Sequence, residues 1–250
     1  MYQVFESRSR EYISLYETES TNNDLKSVIR KSEEPVFAVI SAKKQTTGRG
    51  RLGRSFASPE GGLYFSASFP LTGEEKNIPF LTLLSGLAVS EAIEELTGVG
   101  TRIKWPNDIY LGGKKLGGIL TELVFGKEPC AVVGIGINLY TKRDEFPGDI
   151  RDKATSFVCE GLALPDEKAL LSEIISRLEE YVYGRCELYN VSEHTMEKIR
   201  KRSYSLGRHV KYTLNDTVLE GIVTDIKSTG AAEITLADGS KREIFCGEII

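Results

Sequence analysis

Among the 250 residues there is no apolar run approaching the roughly 20 residues that a membrane-spanning helix needs. The opening MYQVFESRSR has no hydrophobic core of a signal peptide, so a cytoplasmic protein is expected. Cysteine is scarce. Cys130, Cys159, Cys186 and Cys246 stand far apart with no paired spacing, which argues against a zinc knuckle or a dense disulfide framework. They read as reduced, mostly buried thiols without a catalytic role. Positive charge is also short: 36 Asp and Glu face 32 Lys and Arg, a net −4, whereas a general nucleic-acid binder usually has a broadly basic surface. No repeat, low-complexity tract or long flexible linker interrupts the chain. A composition of 40% hydrophobic and 27% charged residues is ordinary for a globular protein, and the length favours one large domain or one with a small appendage.

What is present is a series of strand and helix patterns. YISLYET alternates as a half-buried strand does, and a helix is expected to begin near Ser20 or Thr21, where Thr21 and Asp24 have capping-box spacing. VFAVISA (36–42) and LYFSASF (63–69) read as buried strands. IPFLTLLSGLAVSEAIEEL (78–96) reads as a long apolar helix stopping at Gly98. TRIKW (101–105) then predicts a strand, DIYLGGKKLGGILTELV a hairpin turning at Gly112-Gly113, and CAVVGIGINL a central strand, so a mixed sheet results. Helical spacing recurs over 166–186 and again over 192–203. Beyond Leu206-Gly207, short β-rich runs with turn signals at Asn215-Asp216, Thr229-Gly230 and Asp238-Gly239 predict a small appended barrel.

Three segments carry chemistry. QTTGRGRLGRSF (45–56) places three arginines among three glycines. Glycine-rich turns present backbone N–H groups to an anion, and guanidinium groups add charge-assisted, bidentate contacts. Such a loop is expected to be mobile until an anion arrives; an exposed basic loop of no consequence is the bland alternative. It matches neither the phosphate-binding loop of NTPases nor the dinucleotide fingerprint. KWPND (104–108) sets a cation, an aromatic, a proline, an amide and a carboxylate at a strand end, with Lys115 just beyond the Gly-Gly turn; Trp105 itself reads as core. GIGIN (134–138) strips side chains from a central strand, which marks close approach of a ligand, another backbone or a helix.

Together with ESTNN (19–23), GIGIN's longer stretch VVGIGINL (132–139) and KWPNDIYLGGKKLGGILTEL (104–123), the loop, extended to QTTGRGRLGRSFASPEGGLYFS (45–66), makes a set that resembles the biotin protein ligases, in that family's order. The β-rich tail with GIVTDIKSTGAAEI is similar to the family's C-terminal barrel. The resemblance implies an α+β fold: a mixed β-sheet catalytic domain flanked by helices over 1–205, biotin/lipoate ligase-like and akin to class II aminoacyl-tRNA synthetases, then a small Src-homology-three-like β-barrel over 206–250. It also implies a two-step reaction in which biotin and ATP, with magnesium, form biotinyl-adenylate, and the acyl group passes to one lysine of a biotin carboxyl carrier protein.

Carried onto this sequence, the resemblance implies that Ser20, Thr21 and Asn22 bind or line the pocket for the biotin ureido ring, and that Gln45 reaches the same ligand. Arg49, Gly50 and Arg51, flanked by Gly48, Gly53 and Arg54, form a lid over carboxylate and phosphate. Lys115, with Arg49 and Arg51, is assigned to catalysis. Gly118 and Leu120 border the biotin tail, while Gly134 and Gly136 leave room for the bicyclic ring. On the nucleotide side stand Arg51, Arg54, Phe56, Lys104, Asn107, Asp108, Lys115 and Asn138, the last a candidate for the adenine edge. Magnesium is expected through the ATP phosphates, with its direct ligands open. Residue by residue the plainer readings stand beside these: Ser20 or Thr21 as a helix cap, Lys115 as a surface charge, Gln45 and Asn138 as structural hydrogen-bonders.

Two positions depart from the family pattern. Leu52 replaces a frequent arginine, and Phe56 replaces a common tryptophan but can still stack on a purine. Asp108 is a candidate to orient the acceptor lysine or take its proton. The resemblance allows a homodimer through an exposed sheet edge. A lipoate or octanoate protein ligase or transferase of the same fold is the enzyme alternative, and the pairing of KWPND with GRGRLGR speaks against it. A biotin carrier would need a Met-Lys-Met turn, and neither Met1 nor Met196 flanks such a lysine. Some relatives carry an N-terminal winged helix-turn-helix; with the first motif at Glu19 no such domain is expected. A gel-shift assay should therefore show no tight, sequence-specific DNA binding, and such binding would contradict this reading.

Overall fold

The computed structural model describes residues 10–249 apart from 74, 76, 215, 216 and 246. The turn expected at Asn215-Asp216, and Cys246, lie outside the described residues. Seven strands form one sheet: β1 (Glu11–Thr18), β2 (Ala38–Gln45), β3 (Gly62–Pro70), β4 (Arg102–Lys104), β5 (Asp108–Leu111), β6 (Lys114–Phe125) and β7 (Pro129–Asn138), in the order β1-β2-β3-β7-β6-β5-β4. The β1–β2 pair is parallel and the other pairs are antiparallel, which makes the sheet mixed as expected. Gly112 and Gly113 both take positive φ and turn β5 into β6.

Successive strand residues point to opposite faces, and the core divides accordingly. Val39, Val133 and Ile135 belong to the main core, whereas Ala38, Ile40 and Val132 pack with Leu25 and Ile29 of α1 (Thr21–Lys31) in a second cluster. Helix α2 (Leu81–Thr97) is buried on nearly every side and lies in the main core, where Gly86 lets Ile103 of β4 approach closely. It follows a 3-10 turn at Ile78–Phe80 and ends on Gly98 in the left-handed conformation. Helices α3 (Glu167–Glu179) and α4 (Glu193–Arg202) start at Asp166 and Ser192, whose side chains each cap a backbone N–H. A π turn over Glu180–Gly184 continues α3 to the end of the expected helical segment.

Helix α1 starts differently from the expected capping box. Ser20 occupies the N-cap position without a side-chain cap bond, and the Asp24 carboxylate accepts from the Thr18 hydroxyl instead. Gln45 Oε1 takes the Thr21 N–H and hydroxyl at 3.0 and 3.2 Å, so β2 supplies the cap.

The tail forms β8 (His209–Leu214), β9 (Thr217–Ile226), β10 (Ala232–Leu236), β11 (Lys241–Ile244) and β12 (Glu248–Ile249), an antiparallel sheet in the order β11-β10-β9-β8-β12. In place of a closed barrel, the described strands leave β11 and β12 as outer edges. Val210, Val223 and Ile234 join the main core, so the small sheet is packed onto the large one rather than tethered to it. Trp105, 2% exposed and core as expected, donates from Nε1 to Gly230 O at 3.0 Å and from its backbone N–H to Ser205 Oγ at 2.8 Å. Of the three described cysteines, expected to be mostly buried, only Cys130 is, and burial pushes its thiol up to about 12; Cys159 is exposed and Cys186 half-buried.

Gly230 has φ +87, and a Cβ there would meet the Pro79 carbonyl carbon at 3.0 Å. Gly230→Ala should therefore destabilise the chain by about 1–2 kcal/mol. A lowered urea midpoint with an unchanged slope is the expected result.

Candidate active site

On the face of the sheet that α1 covers, the helix begins at Thr21 and leaves the next part of the sheet free. There the pairing register aligns Gly134 with Ser66 and Leu120, and Gly136 with Tyr64 and Gly118. A cavity of about 170 Å³ forms over this strip. All twelve residues expected around biotin line it: Ser20, Thr21 and Asn22 from the start of α1, Gln45 from β2, Arg49, Gly50 and Arg51 from the loop, Lys115, Gly118 and Leu120 from β6, and Gly134 and Gly136 from β7.

The glycines are needed at short range. A Cβ on Gly134 would lie 2.0 Å from Asn22 Oδ1, and one on Gly136 would lie 2.6 Å from the Phe56 ring. The room expected for a ring system is thus shared with these two side chains. Asn22 is held from both ends: Oδ1 accepts from Ser66 Oγ at 2.5 Å, and Nδ2 donates to Glu122 Oε2 at 2.9 Å. Gln45 is equally engaged, since its Nε2 donates to Ser58 Oγ at 2.9 Å while its Oε1 caps α1.

The Gly/Arg loop folds back on itself. Isolated bridges join Gln45 to Ser58 and Arg49 to Ser55, and Gly50 N–H donates to Arg54 O at 2.7 Å. Leu52, 82% exposed, occupies the left-handed region with φ 55 at the tip. Arg49 donates to Asn23 Oδ1 at 3.0 Å and stands 3.8 Å from Glu122, and Arg51 donates to Phe245 O of the small sheet at 3.2 Å. Arg49 and Arg51 of the loop are each held by a polar contact in this arrangement.

A second cavity of about 290 Å³ adjoins the first, sharing Arg54, Phe56, Asn107, Asp108 and Lys115. Phe56 lines both, so its ring stands where the two meet. Lys104 and Asn138 line only the second cavity. Lys115 Nζ pairs with Asp108 Oδ1 at 2.7 Å and lies 5.7 Å from the Phe56 ring centre. Asn107 Nδ2 is spent on Ile119 O at 3.0 Å. Asn138, 4% exposed, donates from Nδ2 to Thr155 O at 3.0 Å, while its buried Oδ1 has no partner among the described residues. The described residues contain no cluster of three His, Cys, Asp or Glu side chains fit to hold a metal. Asp108 and Asn107, which line both cavities, carry side-chain oxygens there.

Several residues of the site escape sequence reasoning. Glu122 bonds Asn22 and Lys26 and approaches Arg49. Strand alternation from Gly118 through Leu120 would have reached it. Burial opposes its ionisation, but the bonds from Asn22 and Lys26 outweigh that and hold its carboxyl below the ordinary value. Ser66 ends the 45–66 motif without an assigned role, and Gly247 gave no local signal, because their roles depend on register and on the packing of the small sheet.

Residues 14–138 match the Biotin/lipoate A/B protein ligase family, and residues 205–250 match the Biotin protein ligase C terminal domain. The bifunctional ligase/repressor BirA of Bacillus subtilis (strain 168) is 34% identical over 221 residues, which make up 86% of this chain and 66% of that one. This chain thus spans just under two thirds of that relative's length. The biotin–acetyl-CoA-carboxylase ligase of Mycobacterium tuberculosis is 31% identical over 226 residues, 86% of this chain and 79% of that one. The structure of a biotin protein ligase from Aquifex aeolicus in complex with biotin and ATP aligns with a TM-score of 0.78 at 34% identity, covering 96% of this chain and 97% of that one.

Glu122→Gln keeps an acceptor for Asn22 but strands the buried Lys26 ammonium, so a loss of about 3 kcal/mol in urea unfolding is expected. Because the folded chain binds the Glu122 proton more weakly than the unfolded chain, its stabilisation is complete above about pH 4.5 and is lost as pH falls through the lower folded value. The variant should show a flatter stability profile in that acid window.

Proposed function

Because the chain belongs to the biotin/lipoate A/B protein ligase family, we propose that it activates biotin with ATP to biotinyl-5'-adenylate and transfers biotin to a lysine of a biotin carboxyl carrier protein. Lys115 carries this reading, placed at the junction of a small cavity that meets the expected biotin residues and a larger one that meets the expected nucleotide residues. Residues 1–205 are taken as the catalytic domain and 206–250 as the C-terminal β domain.

In the first step a biotin carboxylate oxygen attacks the α-phosphorus, a new P–O bond forms, and the bond to the β-phosphate oxygen breaks with its electron pair leaving on pyrophosphate. Two anions must meet, and unit charges at 4 Å repel by about 4 kcal/mol at an effective dielectric near 20. Lys115 offsets that repulsion by exchanging its contact with Asp108 for the incoming oxygens, and Arg49 and Arg51 exchange their anchors likewise. Phe56 offers a face to the purine, and the partnerless Asn138 Oδ1 would accept from the exocyclic amine of adenine, relieving a burial cost of about 1–3 kcal/mol.

Asp108 and Asn107 Oδ1 fit magnesium, which takes one or two protein oxygens and completes its shell with phosphate and water. When bound there, the ion would neutralise phosphate charge. In the second step the acceptor amine attacks the acyl carbon, a C–N bond forms, the acyl–oxygen bond to phosphate breaks with its electron pair leaving on AMP, and the amine's proton passes to Asp108, released from Lys115, or to water. The proposal includes a cytoplasmic location. No described helix is long and apolar enough to cross a membrane. It also includes a homodimer closing a bare sheet edge, such as β1 with its exposed Tyr12 and Tyr16.

Incubation with biotin, ATP, magnesium and a purified carrier domain should yield biotinylated carrier, whereas lipoate or octanoate in place of biotin should yield no adduct. Turnover of either alternative acid in preference to biotin would refute the substrate assignment. Lys115→Ala should slow adenylate formation by at least about 100-fold with an unchanged circular dichroism spectrum.

A further inference from the structure

A third cleft, of about 370 Å³, opens between the β4–β5 hairpin and the segment joining α4 to β8. Arg102 and Lys104 share a face of β4 because strand side chains alternate, while Ile103 between them is buried. The register sets Arg102 opposite Tyr110 and Lys104 opposite Asp108, on the strand that turns into Lys115. Tyr110 packs against Tyr204 with ring centres 4.7 Å apart. Arg208 caps the outer face of that pair, 3.9 Å from the Tyr204 ring centre, and Lys104 lies 5.2 Å from the Tyr110 ring centre. The result is a ladder of cation, ring, ring and cation.

Arg208 and Lys104 of this ladder, and Arg102 beside it, are positioned but not neutralised; Arg102 and Arg208 line the cleft, whereas Lys104 lines the nucleotide cavity. Arg208 Nε donates to Tyr204 O at 2.9 Å, Arg102 reaches Ser203 O at 3.4 Å, and Lys104 donates to the Tyr110 hydroxyl at 3.2 Å. Among the described residues none of the three forms an ion pair with a carboxylate, in a chain where acids outnumber bases. On this wall Asp108 pairs with Lys115, and Glu160 beside Gly112 accepts from the Thr155 hydroxyl at 2.5 Å. Tyr110 lines this cleft and also the nucleotide cavity, so the two share a wall.

We propose that the cleft is an anion site that receives inorganic pyrophosphate after it leaves the nucleotide cavity. The proposal rests on the ligase reading for its ligand and on the unpaired cations for its chemistry. A guanidinium fork matches phosphoryl oxygens in two-point geometry, and ring stacking holds Arg208 in place for it. No covalent change occurs in the cleft. Pyrophosphate held there is out of line with the adenylate phosphorus, so resynthesis of ATP is slowed while the second step proceeds.

The test is titration calorimetry of the full chain with pyrophosphate, phosphate and sulfate, comparing wild type with Arg102→Gln/Arg208→Gln. Both arginines are exposed, so the melting temperature should stay close to that of wild type. Wild type should bind pyrophosphate more tightly than phosphate or sulfate, and the double variant should bind it at least tenfold more weakly. Resynthesis of ATP from biotinyl-adenylate and added pyrophosphate should be faster in the double variant, with KM for biotin unchanged. Arg208→Lys, which keeps the charge, should recover part of the loss. Equal pyrophosphate affinity in wild type and double variant overturns the proposal, as does a variant whose only change is a higher KM for the carrier domain. Direct binding needs no turnover, so a pyrophosphate site in a chain that forms no adenylate would fail the ligase reading and leave the anion site standing.

Discussion

The close approach of β6 and β7 governs everything built above it. A Cβ at Gly117 would meet Gly136 O at 2.4 Å, and Gly118, Gly134 and Gly136 leave the neighbouring surface bare on the side of α1. Into that bare strip drop the amide of Asn22 and the ring of Phe56. One helix start and one loop can therefore reach the same few ångströms of sheet, and two cavities meet where a row of ordinary side chains would otherwise stand.

Charge is arranged on this scaffold by loan. Lys115 rests on Asp108, Arg49 on Asn23 and Glu122, and Arg51 on a carbonyl of the small sheet. These partners hold the cations in place at modest strength, because half-exposed ion pairs stabilise by at most about 1 kcal/mol. An arriving anion can displace them easily. Glu122 differs in serving the buried Lys26 as well as Asn22, so it fixes geometry while the others yield.

Much of this was legible from local pattern. Periodicity located the strands and helices, and strings such as GRGRLGR and KWPND placed cations, amides and glycines at turns that fold brings together. What escaped was set by distant parts of the chain. The start of α1 is capped from β2 by Gln45 rather than by Asp24, because a strand neighbour offered the better acceptor. The expected barrel is an open antiparallel sheet among the described strands, a difference that turn signals cannot register. Glu122 and Ser66 act through cross-strand register, and Gly247 reaches both cavities only because the small sheet packs where it does.

Trp105 is the only tryptophan in the chain. It stands one residue before the Pro106-Asn107-Asp108 wall of the cavities and bonds through its indole to Gly230 of the small sheet. Intrinsic fluorescence excited near the red edge therefore comes from a single indole at the seam between the two sheets. Any ligand or partner that strains that seam writes its effect into one emission band, without a label.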